Sequence, residues 1–487
     1  MVPSSPPSRV ALRPPSAAEL SPQAPRFLPW LAAIALFMEN LDTTIINTAI
    51  PTMSTSLDVA PLRLKSVLTS YTLSLAVFIP ISGWLADRFG TRKVFGMAIL
   101  LFLLGSLFCG LSTTIPFLVA SRILQGAGGA MMTPVGRLAL VRSFPRSQMI
   151  ATLNFVLLPA LIGPLLGPFL GGLIVHWFHW RVIFFINIPF ALLGLALVPK
   201  QMPDFRADAP SPLDAWGFVL FGIGIALLSY VLEVFGEHRL SGAWMGAFLV
   251  AAAVFLAAYG VHARRAPAPM LDLGLFRLRS FRVAVIGGFL TRLGVGGTPF
   301  LLPLLYQIGM GFPAWQAGLL TMPQAAAAMA MRVVNRPILA AFGHKRVLLA
   351  NTAILAVTLM AFSRVGPGTP IAWIVALSFV QGFLSSLQFT SANTLVYANV
   401  EDERASRASS ISSTGQQLAL SFGVATASLL TAWFLGGTDR GDPGRLVPAI
   451  HLAFWALGGF TLLSGALFAT LHPDDGRSIS NYRESSA

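Results

Sequence analysis

The sequence predicts an all-α polytopic membrane protein: two six-helix halves with two further helices inserted between them, fourteen transmembrane helices in all. Three observations carry this. Apolar runs of about twenty residues, each long enough to cross a bilayer as a helix, recur about fourteen times along the 487 residues. The 33 Lys and Arg sort by side once the N-terminus is set in the cytoplasm. Seven then fall in outer loops (Arg63, Lys65, Arg181, Arg239, Arg364, Arg440, Arg445) and four inside runs (Arg122, Arg292, Arg332, Arg336), while the other 22 lie in cytoplasmic loops and tails. Both termini are then cytoplasmic. Third, the chain repeats itself. Phe37, Leu41 and Pro51 match Phe289, Leu293 and Pro303 at an offset of 252, and Gln125-Gly126 matches Gln381-Gly382 at 256. Between them, Phe89-Gly90-Thr91-Arg92-Lys93 matches Phe342-Gly343-His344-Lys345-Arg346 at 253. Two parallel halves around a midplane site are a recurrent transporter plan.

Composition narrows the function. A chain 55% hydrophobic and 11% charged, with a mean hydropathy of +0.72, is too apolar for a soluble protein of this size. Its 44 Gly and 34 Pro suit helices that pack closely and bend in lipid. The net charge of +14 is scattered in short clusters between apolar runs, which argues against nucleic acid. Cys109 is the only cysteine, so no internal disulfide or cysteine metal cage can form. No G-x-x-x-x-G-K-[ST] occurs, so an ion gradient rather than ATP is the expected drive. No nucleophile–base–orienter set is recognisable, and no enzyme activity, cofactor or metal is expected. His176 and His179 lie beside Trp177 and Trp180, a pattern of the membrane interface rather than of a metal site.

In chain order, residues 1–25 are rich in Pro, Ser and Ala and are expected to form a disordered cytoplasmic tail. They do not read as a cleaved signal peptide, because the next run is too long and holds two acids. The first half, 26–199, has runs at 27–50, 66–86, 94–112, 115–136, 149–174 and 181–198. The first run carries Glu39 and Asp42, three residues apart and so on one helical face. A carboxylate at this depth is costly and by default functional, which points to movement of protons or cations. The second run ends in Gly83-Trp-Leu-Ala-Asp87-Arg88-Phe-Gly90-Thr-Arg92-Lys93. Gly90 supports a tight turn, and Asp87 among cations can form ion pairs that hold one face shut. The fourth run carries Arg122 and Gln125, with no Asp or Glu between Asp87 and Asp204 to answer the arginine. In the fifth, Gly163, Gly167 and Gly171, followed by Gly172, form a smooth stripe for close helix approach. Pro164 and Pro168 beside them remove helix hydrogen bonds. An insert at 200–280 holds runs 215–235 and 243–263 between cytoplasmic loops. The second half, 281–472, has runs at 281–306, 315–342, 346–364, 370–397, 408–435 and 449–471, and 473–487 form a cytoplasmic tail. Ala340 stands where the repeat places Asp87, and Ser378 where it places Arg122.

These motifs resemble those of the major facilitator superfamily. The loop after the second run resembles its signature G-x-L-A-D-R-x-G-R-[KR]. Arg122-Ile-Leu-Gln125-Gly126-Ala-Gly128 resembles R-x-x-Q-G-x-G, whose arginine is linked to proton transfer. Gly163-Pro164 through Gly171-Gly172 resembles the antiporter signature G-P-x-x-G-G, associated with exporters. Leu41-Asp42-Thr43-Thr44-Ile-Ile-Asn47-Thr-Ala-Ile-Pro51 resembles the first-helix signature of the fourteen-helix drug:proton antiporter branch, the EmrB/QacA type. His179-Trp180-Arg181 with Asn187-Ile-Pro189, and Pro269-Met-Leu-Asp272 through Phe276-Arg277, resemble that branch too, most of all its bacterial MdtD-type group. Glu39 departs from the branch, where that position is commonly uncharged and polar.

The resemblance implies a multi-pass exporter of the bacterial inner membrane. It would work by alternating access and exchange protons for lipophilic or cationic compounds, as in multidrug efflux. Its partners would be the bilayer, a small-molecule substrate and protons, with a periplasmic adaptor as a further candidate. Asp42 and Glu39 are expected to couple to protons, with Arg122 and Gln125 as relay. Gln125, Asn154, Arg292, Gln381 and Gln388 are cavity candidates by helix position. Arg292 aligns with Asn40 through the repeat, so a salt bridge from Arg292 to Glu39 across the halves is expected, one that protonation or a cationic substrate would break. Two alternatives stay open: export of a specific metabolite such as an amino acid, sugar or siderophore, and, from another class, a membrane sensor or scaffold without transport.

Overall fold

The structure is a computed structural model that describes residues 27–208, 212–234, 241–436 and 443–480. The expected N-terminal tail and the end of the C-terminal one lie outside the described residues. Among those described there are helices and no strand, the arrangement that satisfies every backbone polar group within an apolar segment.

The first half comprises α1 (Leu28–Ile45), α2 (Lys65–Phe89), α3 (Thr91–Leu111), α4 (Ile115–Ser143), α5 (Arg146–Trp177) and α6 (Asn187–Gln201). The insert is α7 (Ala215–Val234) and α8 (Gly242–Arg265). The second half comprises α9 (Arg279–Val295), α10 (Ala314–Ala361), α11 (Ile371–Leu395), α12 (Ala405–Leu435) and α13 (Pro443–Ala469). α10 is two helices joined at Gly343, whose φ of 71° ends the first arm. It is the counterpart of Gly90, φ 92°, between α2 and α3. Both turns need the left-handed backbone that glycine adopts without strain.

Eleven elements among the described residues are long and apolar enough to cross a membrane. The difference from the fourteen expected runs has a physical origin. Runs ten and eleven are continuous through Gly343, and the polar side chains of α1 and α4, the helices bearing Glu39, Asp42, Arg122 and Gln125, dilute their hydropathy.

Each glycine turn is covered by the segment that follows the sixth helix of its half. Around Gly90, Thr91 Oγ1 donates to Pro203 O (2.7 Å), Arg92 Nε to Met202 O (2.6 Å) and Ala207 N to Asp87 O (3.1 Å). In the second half Asp475 takes two bonds of 3.1 Å from Arg279, and Gly476 packs on His344. We call this the loop end. The halves meet at the opposite, far end. There Gln307 Nε2 donates to Thr48 O (2.9 Å), Ser428 Oγ to Leu62 O (3.2 Å) and Ser421 Oγ to Thr69 O (3.3 Å). One apolar cluster, including Ile45, Met53, Leu64, Phe300, Tyr306 and Phe454, runs through both halves there. The insert packs along the seam, on α2 and α12, with the rings of Phe78 and Phe218 5.6 Å apart.

Candidate functional site

α1 breaks just past its two acids. Pro51 has no N–H to return to Asn47 O, and the chain turns through a 3-10 stretch, Asn47–Ala49, before resuming. This fixes two working faces on the preceding helix. One carries Glu39 and Asp42 and looks into the first half. The other carries Asn40, Thr44 and Asn47 and looks into a cavity.

On the first face, Asp42 and Arg122 form an ion pair of 2.5 Å, each 1% exposed. The remaining acceptor capacity of Asp42 goes to Gln125 Nε2 (2.8 Å) and Asn187 Nδ2 (3.0 Å), both on Oδ1. Arg122 also donates to Gln125 Oε1 (2.7 Å) and Val67 O (3.2 Å), and its guanidinium lies 4.2 Å from the Tyr71 ring centroid. Gln125 reaches on to Ser106 Oγ (2.7 Å). A pair this deep holds only with such full hydrogen bonding, because both charges have left water. Protonation of the carboxylate would remove the counter-charge of Arg122 and loosen the knot of α1, α4 and the start of α6. Glu39 accepts a hydrogen bond from Thr133, also on α4.

On the second face lies a cavity of about 580 Å³ between the halves, lined from α1, α5, α9, α10, α11 and α12. Arg292, Gln381 and Gln324 line it, with Arg332 at its loop-end side. Gln324 donates to Gln381, and Gln381 to Ser385 Oγ (3.1 Å). Arg292 donates to Asn393 Oδ1 (3.0 Å) and Gln416 Oε1 (3.2 Å) and lies 4.3 Å from the Phe389 ring centroid.

A family model described as Major Facilitator Superfamily matches this chain over residues 32–340 and 284–487. The chain belongs to the major facilitator superfamily. Provisionally named multidrug resistance proteins MdtD are similar over most of its length. That of Citrobacter koseri is 41% identical over 460 residues, 93% of this chain and 96% of its own. That of Serratia proteamaculans is 42% identical over 433 residues, 87% and 88% of the two chains. Among solved structures, the POT family transporter PepTSo aligns with a TM-score of 0.69 at 16% identity, covering 92% of this chain and 98% of that one. A D-xylose-proton symporter aligns at 0.64 and 16%, covering 94% and 99%. These two share the fold. The chain is thus a multi-pass membrane protein of a transporter superfamily.

Within that frame several expectations are corrected. Arg292 does not pair with Glu39; neutral amide oxygens hold it, and Glu39 turns to Thr133. Gln125 and Gln388 do not line the cavity. Gln125 belongs to the Asp42 cluster, and Gln388 is fixed by Asn351 (2.7 Å) and Thr352 (2.8 Å) of the second arm of α10. The side chain of Asn154 lies outside the described residues. Asp87 pairs with Arg142 of its own half at 3.3 Å, both 37% exposed, and does not bridge the halves here. Arg88 and Lys93 lie exposed beside it, while Gly83 has open space where a Cβ would point.

The glycine stripe divides between two neighbours. A Cβ on Gly163 would meet Leu41 N at 2.9 Å, on Gly167 Thr44 Cβ at 3.0 Å, and on Gly171 Ile45 C at 3.1 Å, all on α1. On Gly172 it would meet the Ala314 backbone of the other half. Pro168 O accepts from Thr48 Oγ1 at 2.9 Å, and Pro164 and Pro168 line the cavity.

Sequence reasoning missed Asn187, Tyr71, Ser106 and Thr133 around the acids, and Gln324, Asn393 and Gln416 in the cavity. Amides inside apolar runs were the available signal, because each is costly in lipid unless partnered.

Proposed function

We propose that this protein is a proton-coupled exporter of lipophilic small molecules, of the multidrug type, in the inner membrane of a bacterium. Its fourteen helices would place both termini and the loop end in the cytoplasm, with 26–199 and 281–472 as the moving halves and 200–280 as the insert. The names of the MdtD relatives support the compound class. The observation that carries the reading is the Asp42–Arg122–Gln125–Asn187 cluster, which backs on to the helix that fronts the cavity.

With the far end joined and the cavity on its loop-end side, the conformation corresponds to an inward-facing state of alternating access. A proton reaching Asp42 from outside would release Arg122 and shift α1 against α4 and α6. Because the opposite face of α1 lines the cavity, proton and substrate would communicate through the helix. Glu39 is a second proton site in this reading, and Gln125 part of the relay. In the outward-facing state the Gly83–Lys93 loop, with Asp87, Arg88, Gly90 and Arg92, would close the cytoplasmic face.

The test is substrate-induced proton flux in proteoliposomes under an imposed pH gradient. Flux should vanish in Asp42→Asn combined with Glu39→Gln. Unchanged flux in that double variant would remove both residues from coupling.

A further inference from the structure

The cavity between the halves carries formal charge of one sign. Arg292 and Arg332 line it, and no Asp or Glu does. Asp42 and Glu39 lie on the other face of α1, engaged by Arg122 and by Thr133 respectively. Arg292 is 5% exposed, and its hydrogen-bond acceptors are the amide oxygens of Asn393 and Gln416 and the carbonyl of Gly288 (3.4 Å). Such acceptors orient a guanidinium without neutralising it. A cation taken this far from water without a carboxylate is costly, which makes a functional counter-ion the default reading. Beside it lie apolar walls, Phe389, Val295 and Leu420. The volume of about 580 Å³ falls in the range of drug-sized ligand sites.

We propose that the substrate is an amphipathic organic anion whose carboxylate, or comparable oxyanion, pairs with Arg292 while its apolar body lies against Phe389, Val295 and Leu420. Arg332, exposed at the loop-end side, draws the anion in. A cationic compound meets two like charges and no acceptor carboxylate, so the cavity selects against it by repulsion as well as by lack of a partner. This rests on the transport reading above and narrows its compound class.

The test is equilibrium binding to the purified full-length protein in nanodiscs, without any gradient. The probes are a matched pair, 4-(1-naphthyl)butanoate and 4-(1-naphthyl)butyltrimethylammonium, which differ in the sign of their charge. Wild type should bind the carboxylate at least about tenfold more tightly. Arg292→Gln should weaken the carboxylate roughly 10- to 100-fold, the worth of a charge-assisted contact, and leave the ammonium unchanged or tighter. Arg292→Lys should keep the sign of the preference. Arg332→Gln, at an exposed position, should reduce it by a smaller factor and carries the test if Arg292→Gln does not fold. Equal binding, preference for the ammonium, binding of neither probe, or an unchanged ratio in the Arg292→Gln or Arg332→Gln protein would overturn the proposal. Binding needs no proton gradient, so failure here leaves pH-driven flux standing, and loss of flux leaves this binding result standing.

Discussion

Gly172 is the point at which one methyl group should tip the transport cycle. A Cβ there would lie 2.8 Å from both the Ala314 carbonyl carbon and Trp315 Cα. Both are backbone atoms of the opposite half, at the start of α10, and cannot rotate away. Overpacking of this kind costs about 1–3 kcal/mol. In the proposed cycle the halves part at the far end in the outward-facing state, so the cost would fall on the inward-facing state alone. With about 1.4 kcal/mol per tenfold, Gly172→Ala should raise the ratio of outward- to inward-facing protein roughly 5- to 150-fold. The assay is labelling of Thr321→Cys, a cavity-lining position, by an impermeant thiol reagent applied outside cells, in a background lacking Cys109. Labelling should rise with Gly172→Ala, and also with Gly318→Ala, whose Cβ would lie 2.9 Å from the Pro168 carbonyl carbon. Gly167→Ala is the control, since it presses on Thr44 within the same half; it should lower thermal stability without raising labelling. Equal external labelling in the Gly172→Ala protein and its parent would refute the argument.

Three further outcomes follow from the geometry. Asp42→Asn leaves Arg122 buried without its counter-charge, at a cost of about 3–5 kcal/mol; adding Arg122→Gln should recover much of the lost melting temperature while proton-driven export stays abolished, and no recovery would argue against a coupled pair. Single cysteines replacing Arg92, Arg142, Arg265, Lys345 and Arg407 should resist an impermeant thiol reagent in intact cells, and labelling of several would reverse the proposed orientation. Asp272 is partly buried, which alone would raise its pKa, but the hydrogen bond and charge of Arg404 at 2.7 Å, with Arg407, hold it below the ordinary carboxylate value. That stabilisation is therefore present above the unfolded pKa of about 4 and lost as pH falls through the folded one, so the protection of amides in 266–278, taken relative to their intrinsic exchange rate at each pH, should fall in acid, and Asp272→Asn should abolish the step.

The course of the helices was legible because apolar length and glycine turns are local properties. Gly90 and Gly343 could be read as equivalent breaks from the repeat alone. What the repeat could not convey was rotation. It paired Arg292 with Asn40, and both do line the cavity. Glu39 is one residue away, about 100° around the helix, and so faces α4 instead. That step separates the expected salt bridge from the observed Thr133 contact. Partners were illegible for a different reason. Arg122 lies 80 residues from Asp42, and Asn187 lies 145 from it. Nothing in the composition of either segment encodes which helices become neighbours. Gln125 and Gln388 show the same limit: an amide inside an apolar run announces that it needs a partner, but not whether that partner is another buried side chain or a substrate.

The placement of charge around α1 bears on how coupling can work at all. Direct competition requires one carboxylate that both proton and substrate can reach. Here Asp42 is closed in by Arg122, Gln125 and Asn187, and the cavity is reached from the other side of the helix through Asn40, Thr44 and Asn47. A substrate in the cavity therefore has no path to the acid in this state. What the two sites share is the backbone of α1, and its close neighbours enforce that sharing. Gly163, Gly167 and Gly171 bring none of their own side chain to the contact and let α5 lie close against α1, so displacement of α1 would carry α5 with it. At its far end α5 presses Gly172 on Ala314 of the other half. Asp42, α1, the glycine stripe and the contact between the halves thus form one continuous run of backbone packing, and packed contacts of this kind switch between discrete arrangements rather than deform smoothly. In the proposed cycle, protonation at one end and closure at the other would then be two readings of the same displacement. The glycine–proline stretch of α5 would be the stiff member that carries the proton's effect to the seam, with Gly171 against α1 where the force would be received and Gly172 against α10 where it would be delivered.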